Sequence, residues 1–178
     1  MKLKIQAKAL YIGRFQPFHL GHLDAINQIL KQEDFLIIAI GSAQYSHTKE
    51  NPFTAKERQK MIIATLKFAK INPKKYKVIL IPNIENFDAW PNHVDSLVPK
   101  YENIYTGSKL VKSLFKAQKR HTIKSIKFNK KISATLVREK IAQNKKWENL
   151  VPKSVAEFIK TIDGETRIKE TYGDLGLK

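Results

Sequence analysis

The run Phe35-Leu36-Ile37-Ile38-Ala39-Ile40-Gly41 is apolar at every position. A strand with one wet face alternates apolar and polar residues. A run without alternation belongs to a strand covered on both faces, as in a parallel sheet held between layers of helix. The rest of the chain fits that demand. Residues 9–13 read as a short buried strand, residues 77–81 and 104–107 as a third and fourth, and residues 123–128 as a fifth. Between them, residues 20–30 carry Leu23, Ile26, Ile29 and Leu30 on one side of a helix. Thr54-Ala55-Lys56-Glu57 is a capping box opening a helix through about Phe68. Further helices are expected from Ser133 and from Pro152. Strand and helix alternate, so the expected fold is a Rossmann-like three-layer α/β sandwich on a parallel sheet. Ligands of such sheets bind beyond the carboxyl ends of the strands.

The 178 residues fit a single domain spanning 1–178, with its core at about 9–162 and a polar tail at 166–178 expected to fray. The absence of cysteine excludes disulfides, thiolate metal sites and thiol catalysis. Residues 1–8 are basic but lack the apolar core of a signal peptide, and no apolar run reaches membrane-spanning length. A cytoplasmic protein without membrane partners is expected. The formal charge of +17 suggests polyanions, yet 28 of the 33 basic residues are lysine, in a chain also rich in Ile and Asn. Much of that charge reads as compositional background. The arginines are more informative, since three of the five (Arg14, Arg58 and Arg138) fall in the motifs below. Residues 103–138 contain no Asp or Glu; there Lys109, Lys112, Lys116 and Lys119 recur at helical spacing opposite Leu110, Val111, Leu114 and Phe115. No aromatic residues interleave with those lysines, which favours a solvated helix face over a nucleic-acid surface.

Two segments carry chemistry. Gly13-Arg14-Phe15-Gln16-Pro17-Phe18-His19-Leu20-Gly21-His22 runs from the first strand into a helix start bearing two imidazoles. Ile132-Ser133-Ala134-Thr135-Leu136-Val137-Arg138 places two hydroxyls and a guanidinium at another helix start. Free backbone N–H groups, hydroxyls, imidazoles and guanidinium groups are the donors that phosphate oxygens take. Zinc is the rival for the two histidines, but the motif supplies no third ligand nearby. Arg58, just inside the second helix, suits a phosphate or a neighbouring carboxylate equally. His47 reads as a hydrogen-bonding loop residue, His93 and His121 as ordinary surface residues, and Trp147 as packing.

His-x-Gly-His after a first strand, with Ile-Ser-x-Thr-x-x-Arg near the C-terminal end, resembles the signature pair of the nucleotidyltransferase superfamily. The blocks Gly41-Ser42-Ala43-Gln44 and Asn51-Pro52-Phe53-Thr54-x-x-Glu57-Arg58, with Trp90 and Lys146-Trp147-Glu148, resemble more specifically the archaeal-type nicotinamide mononucleotide adenylyltransferases. The resemblance covers residues 9–162 and implies transfer of the adenylyl group of ATP to nicotinamide mononucleotide, giving NAD and pyrophosphate. It implies Mg2+ held mainly by the ATP phosphates, no metal ligands from the protein, and a homo-oligomer such as a hexamer. By the same resemblance His19, His22, Arg14 and Arg138 would be catalytic. Gly13, Phe15, Gly21, Gly107, Ser133 and Thr135 would bind ATP. Trp90 would stack on the nicotinamide ring, with Ser42, Ile84, Asn86 and Arg58 completing the acceptor site.

The chain departs from the family pattern at three places. Phe87 stands where relatives have Asn, Asn83 replaces a frequent Asp, and Gly107-Ser108-Lys109 replaces Gly-Asn-Pro. None touches the phosphate motifs, so reaction class is fixed more firmly than acceptor. The competing readings are an adenylyltransferase acting on FMN or phosphopantetheine, and an inactive basic nucleic-acid-binding protein.

Overall fold

Five strands, β1 (Lys8–Gly13), β2 (Phe35–Ile40), β3 (Tyr76–Leu80), β4 (Asn103–Thr106) and β5 (Thr122–Lys124), pair in parallel in the order β3-β2-β1-β4-β5. The computed structural model describes residues 8–127 and 131–173. Leu36 to Ile40 of β2 are all buried, as a strand without alternation requires. Leu10, Ile12, Ile37 and Ala39 face one layer, and Ala9, Tyr11, Leu36, Ile38 and Ile40 face the other. The first layer is α3 (Trp90–Leu97) and α4 (Lys109–Gln118), which contribute Val94 and Phe115. The second is α1 (Leu20–Leu30), α2 (Ala55–Phe68), α5 (Ala134–Ala142), α6 (Lys153–Thr161) and α7 (Gly164–Tyr172), contributing Ile26, Met61, Val137, Val155 and Ile168. The expected Rossmann-like α/β sandwich is therefore the observed fold. The chain runs outward from β1 through β2 to β3, then returns to place β4 on the other side of β1. Strand order thus reverses beside β1, where such sheets open a crevice.

Local chemistry sets the helix starts. Thr54 and Glu57 form the expected reciprocal cap of α2, with Thr54 Oγ1 accepting from Glu57 N at 3.2 Å and Glu57 Oε2 accepting from Thr54 N at 2.8 Å. Ser133 caps α5 through Leu136 N, and Ser108 caps α4 through Val111 N.

The structure departs from the sequence reading at several places. The fifth strand is only Thr122–Lys124, because β4 offers it three paired residues; the chain then leaves the sheet, and Lys127 O accepts from Gln28 of α1. Phe128, the expected strand end, lies outside the described residues. The tail is helical through Tyr172: Ile168 is fully buried, and Arg167 bonds Glu57 at the cap of α2 (2.8 Å). Residues 174–178 also lie outside the described residues. Helix α3, which the sequence pattern did not announce, opens at Trp90-Pro91. His121 is no ordinary surface residue, for its ring stacks on Tyr101 at 4.3 Å and bonds Asp95 at 3.2 Å. His93 is half-buried beside Pro82 O. Trp147 packs in the core as expected, its indole N–H donating to Glu165. Among the described residues no helix is long and apolar enough to cross a membrane.

The turn between α1 and β2 is locked to the far side of the sheet by one buried carboxylate. Glu33, 3% exposed, accepts from Tyr105 Oη (2.8 Å), Asn103 Nδ2 (2.9 Å) and Lys124 Nζ (3.1 Å). Glu33→Ala would leave those donors without an acceptor, and urea unfolding should show a loss of roughly 3 kcal/mol. An unchanged midpoint would mean that water replaces the carboxylate at no cost.

Candidate active site

The crevice beside β1 is a cavity of about 730 Å³ at the carboxyl ends of the strands. Its two walls differ in character. On the side of α1 and α5 it is lined by Arg14, Gln16, His19, His22, Ser133, Thr135 and Arg138. On the side of α3 and α4 it is lined by Phe87, Trp90, Leu110, Val111 and Leu114. The two signature motifs, more than a hundred residues apart, therefore share one wall. Among the described residues no Asp or Glu lines the cavity.

The polar wall is built from helix starts and the loop leaving β1. His19 is the N-cap residue of α1 with extended backbone, and its N–H donates to His22 Nδ1 at 3.1 Å. A neutral imidazole that accepts at Nδ1 carries its proton on Nε2, so His22 offers a single N–H. The two rings stack with centroids 3.5 Å apart, and Phe15 meets His22 edge-on at 4.8 Å. Burial lowers the His19 pKa to about 4, and burial with the charge of His19 holds His22 well below the ordinary range. Both are neutral at pH 7 in the free protein. The capping and phosphate-binding readings of this pair are thus compatible: backbone and Nδ1 cap the helix, and His19 Nδ1 is a buried atom without a partner.

Arg138, 5% exposed, bridges the motifs, with Nη1 donating to Gln16 O at 2.8 Å and Nη2 reaching Thr135 Oγ1 at 3.4 Å. Its Nε is buried without a partner. Gln16 in turn brackets Phe53 with its amide, donating to Phe53 O at 2.8 Å and accepting from Phe53 N at 3.0 Å. Phe15, at φ 55°, turns its ring under the loop, where a Cβ on Gly13 would come within 2.8 Å of it. Gly21 does not line the cavity; its missing side chain makes room for the His19 ring, which an added Cβ would approach to 3.0 Å.

On the apolar wall, Trp90 is 5% exposed, packs edge-on against Phe115 and lines the cavity with its Nε1 buried and unpartnered. It is both a core residue and a cavity residue. Leu110 and Phe87 are 54% and 48% exposed. The expected apolar side of α4 therefore grades from core to cavity: Phe115 enters the core, Val111 and Leu114 pack on that core and line the cavity, and Leu110 lines the cavity alone. Ser42 lines the junction between the walls, its Oγ accepting from Asn83 at 3.2 Å, and Gly107 lines the end of β4.

Three expected acceptor-site residues are elsewhere. Arg58 is fully buried outside the cavity, with every contact of its guanidinium made to a backbone carbonyl. Ile84 packs in the core layer of α3 and α4. Asn86 caps the short turn before Trp90 by accepting from Asp88 N and Ala89 N. His47 bonds Ser46 in its own loop, as expected, and does not line the cavity. Sequence reasoning missed Gln16, Thr106, Ser108, Ile132 and the α4 leucines as lining residues. The signal for the leucines was present in the helical spacing but reads equally as core.

The histidine pair makes stability depend on pH. A folded-state pKa below the unfolded value means that the unfolded chain binds the proton first, so stability is full above about pH 6.5 and is lost as pH falls toward 4. Between pH 7 and 5, His19 alone should cost the free protein about 2 kcal/mol. Urea unfolding of wild type and His19→Gln at both pH values checks this, and equal pH dependence in the two would refute it.

Comparison with known proteins places these features in context. The cytidylyltransferase-like family model matches residues 10–140. The nicotinamide-nucleotide adenylyltransferase of Thermococcus kodakarensis is 46% identical over 164 residues, covering 91% of this chain and 87% of its own. That of Pyrococcus furiosus is 46% identical over 165 residues, again covering 91% and 87%. Among solved structures, a bifunctional NMN adenylyltransferase/ADP ribose pyrophosphatase from Francisella tularensis, complexed with AMP and a manganese ion, superposes with a TM-score of 0.75 at 22% identity. The match covers 96% of this chain and 53% of that one. A putative nicotinate-nucleotide adenylyltransferase from Vibrio parahaemolyticus superposes at 0.63 with 15% identity, covering 87% and 99%. At these identities the structural likeness is one of fold. The present chain spans about half the length of the Francisella protein.

Proposed function

The chain belongs to the cytidylyltransferase-like family and, within it, groups with the archaeal nicotinamide-nucleotide adenylyltransferases, and on that footing we propose that it transfers the adenylyl group of ATP to nicotinamide mononucleotide. The products are NAD and pyrophosphate. The observation that carries the reading is the pairing of walls: helix-start N–H groups, hydroxyls, imidazoles and arginines on one side, aromatic and aliphatic side chains on the other, with no carboxylate between them among the described residues. Such a cavity accommodates two phosphorylated nucleotides, each having an anionic and an aromatic part.

The acceptor phosphate is already anionic at neutral pH, so its oxygen attacks the α-phosphorus without a protein base. The bond from that phosphorus to the bridging oxygen breaks, and pyrophosphate leaves with the electron pair. The protein's task is to hold the reacting groups in line and to stabilise charge building on the α-phosphate and the leaving group. His22 Nε2–H, His19, Arg14 and Arg138 are the donors assigned to that charge, with Ser133 and Thr135 at the start of α5. Gly13, Phe15 and Gly107 shape the ATP side, and Ser42 and Trp90 bind the acceptor. The described lining, which has no carboxylate, suits Mg2+ that would arrive with the triphosphate rather than be held by protein ligands, and that would supply neutralisation of charge. The same reading places the whole reaction in one domain, working in the cytoplasm within a homo-oligomer.

Incubation with ATP, Mg2+ and, in parallel, nicotinamide mononucleotide, FMN or phosphopantetheine should give NAD and equimolar pyrophosphate from the first alone. Product from another acceptor would reassign the apolar wall, and none from folded protein would overturn the reading. His19→Ala and His22→Ala should each lower kcat by about 10²–10³-fold, the cost of a lost transition-state donor. Trp90→Ala should mainly raise KM for the mononucleotide; a raised KM for ATP alone would reverse the assignment of the wall.

A further inference from the structure

Arg58 lies outside the cavity and is fully buried, yet it bonds two of the segments that line the cavity, the loop leaving β1 and the end of β2. Nη1 donates to Arg14 O and to Gly41 O, both at 2.8 Å, Nη2 to Ser42 O at 3.0 Å, and Nε to Thr54 O at 3.3 Å. These oxygens come from the loop leaving β1, the end of β2 and the cap of α2. Arg14, Gly41 and Ser42 themselves line the cavity. A backbone carbonyl facing a polyphosphate would repel it, and strand ends are where such unpaired carbonyls occur. The guanidinium, outside the cavity, takes two of them, Arg14 O and Gly41 O, together with Ser42 O, which also accepts from Tyr45 N. A planar fork with five N–H donors suits this arrangement, whereas an ammonium acts as a point charge on a flexible stem.

The charge is also unusually placed. None of the hydrogen bonds of Arg58 goes to a carboxylate. The adjacent Glu57 carboxylate is engaged by Arg167 and Thr54 N. Burial and then the charge of Arg14 lower the Arg58 pKa to about 10, with Glu57 opposing. The group stays protonated at neutral pH, a buried cation behind the loop that repels Arg14, a repulsion that an anion held in the cavity by Arg14 would offset.

We propose that Arg58 is a positioning residue for adenylyl transfer, acting through Arg14: it holds the Arg14 carbonyl away from the cavity so that the Arg14 side chain meets the phosphate chain. This rests on reading the cavity as a polyphosphate site. The test is a double-mutant cycle in the full chain with Arg58→Lys and Arg14→Ala. Circular dichroism and thermal melting fix the folded fraction, to which kcat/KM for ATP and the calorimetric Kd of ATP with Mg2+ are normalised. Arg58→Lys should lower kcat/KM at least tenfold in the wild-type background and less than threefold in the Arg14→Ala background. Equal losses in both, or no loss in folded Arg58→Lys protein, would overturn the proposal, because a purely structural role gives additive costs. If the lysine variant fails to fold, Arg58→Gln, which keeps an amide donor, replaces it in the same cycle. If wild-type protein makes no NAD, the proposed reaction fails, and the coupling in ATP Kd still decides the role of Arg58 by the same thresholds.

Discussion

The loop leaving β1 hangs on two guanidinium groups that reach it from different helices. Arg58 of α2 holds Arg14 O, and Arg138 of α5 holds Gln16 O, each at 2.8 Å. The Gln16 amide then fixes the loop to Phe53 through both of that residue's backbone groups. Charge-assisted bonds of this kind, made in buried surroundings, are strong and directional. Everything on the polar wall follows from them. The loop sets where α1 begins, and the start of α1 sets the stacked His19 and His22 rings. The same Arg138 carries α5, with Ser133 and Thr135, against the loop. Distant parts of the sequence become one wall because each end of the loop has its own cation.

A neutral pair of imidazoles beside two arginines suits an anion that arrives with its own counter-ion. Burial suppresses protonation of the histidines, so the wall presents fixed N–H donors without accumulating charge that would strain the free protein. Of the buried side-chain atoms left without partners among the described residues, His19 Nδ1, Arg138 Nε and Trp90 Nε1 belong to residues that line this cavity, while Asn51 Oδ1 and His121 Nδ1 lie elsewhere. Unpaired buried polar groups are costly, and their gathering at one cleft is expected where a ligand completes the structure. Opposite them, Trp90, Phe87 and Leu110 keep apolar surface at the cavity, where an aromatic base gives it something to bury against.

Much of this was legible in the sequence, for identifiable reasons. The unbroken apolar run at Phe35 dictated a doubly covered strand, and with it the parallel sheet and a crevice at its carboxyl edge. The Thr54–Glu57 box is a local code that reads without tertiary context. The two signature motifs were visible because their residue types have few other uses in combination. What stayed hidden depends on tertiary partners. Arg58 sits in a block that resembles a family motif, and only the meeting of β1, β2 and α2 shows that its donors face carbonyls. Ile84 and Asn86 lie near Trp90 in sequence but turn into the core and a cap. The α4 leucines follow the periodicity of a core helix, and periodicity cannot distinguish a core from a cavity. The tail is polar in composition, yet Ile168 and the Arg167–Glu57 bond dock it.

The division of the cavity into a phosphate wall and an aromatic wall is tested most directly by a crystal structure of the protein with NAD bound. The expected result places the bridging phosphates within hydrogen-bond distance of His19, His22 and Arg138, and the pyridine ring against Trp90. Phosphates resting on the α4 side, or a dinucleotide bound outside the crevice beside β1, would contradict it.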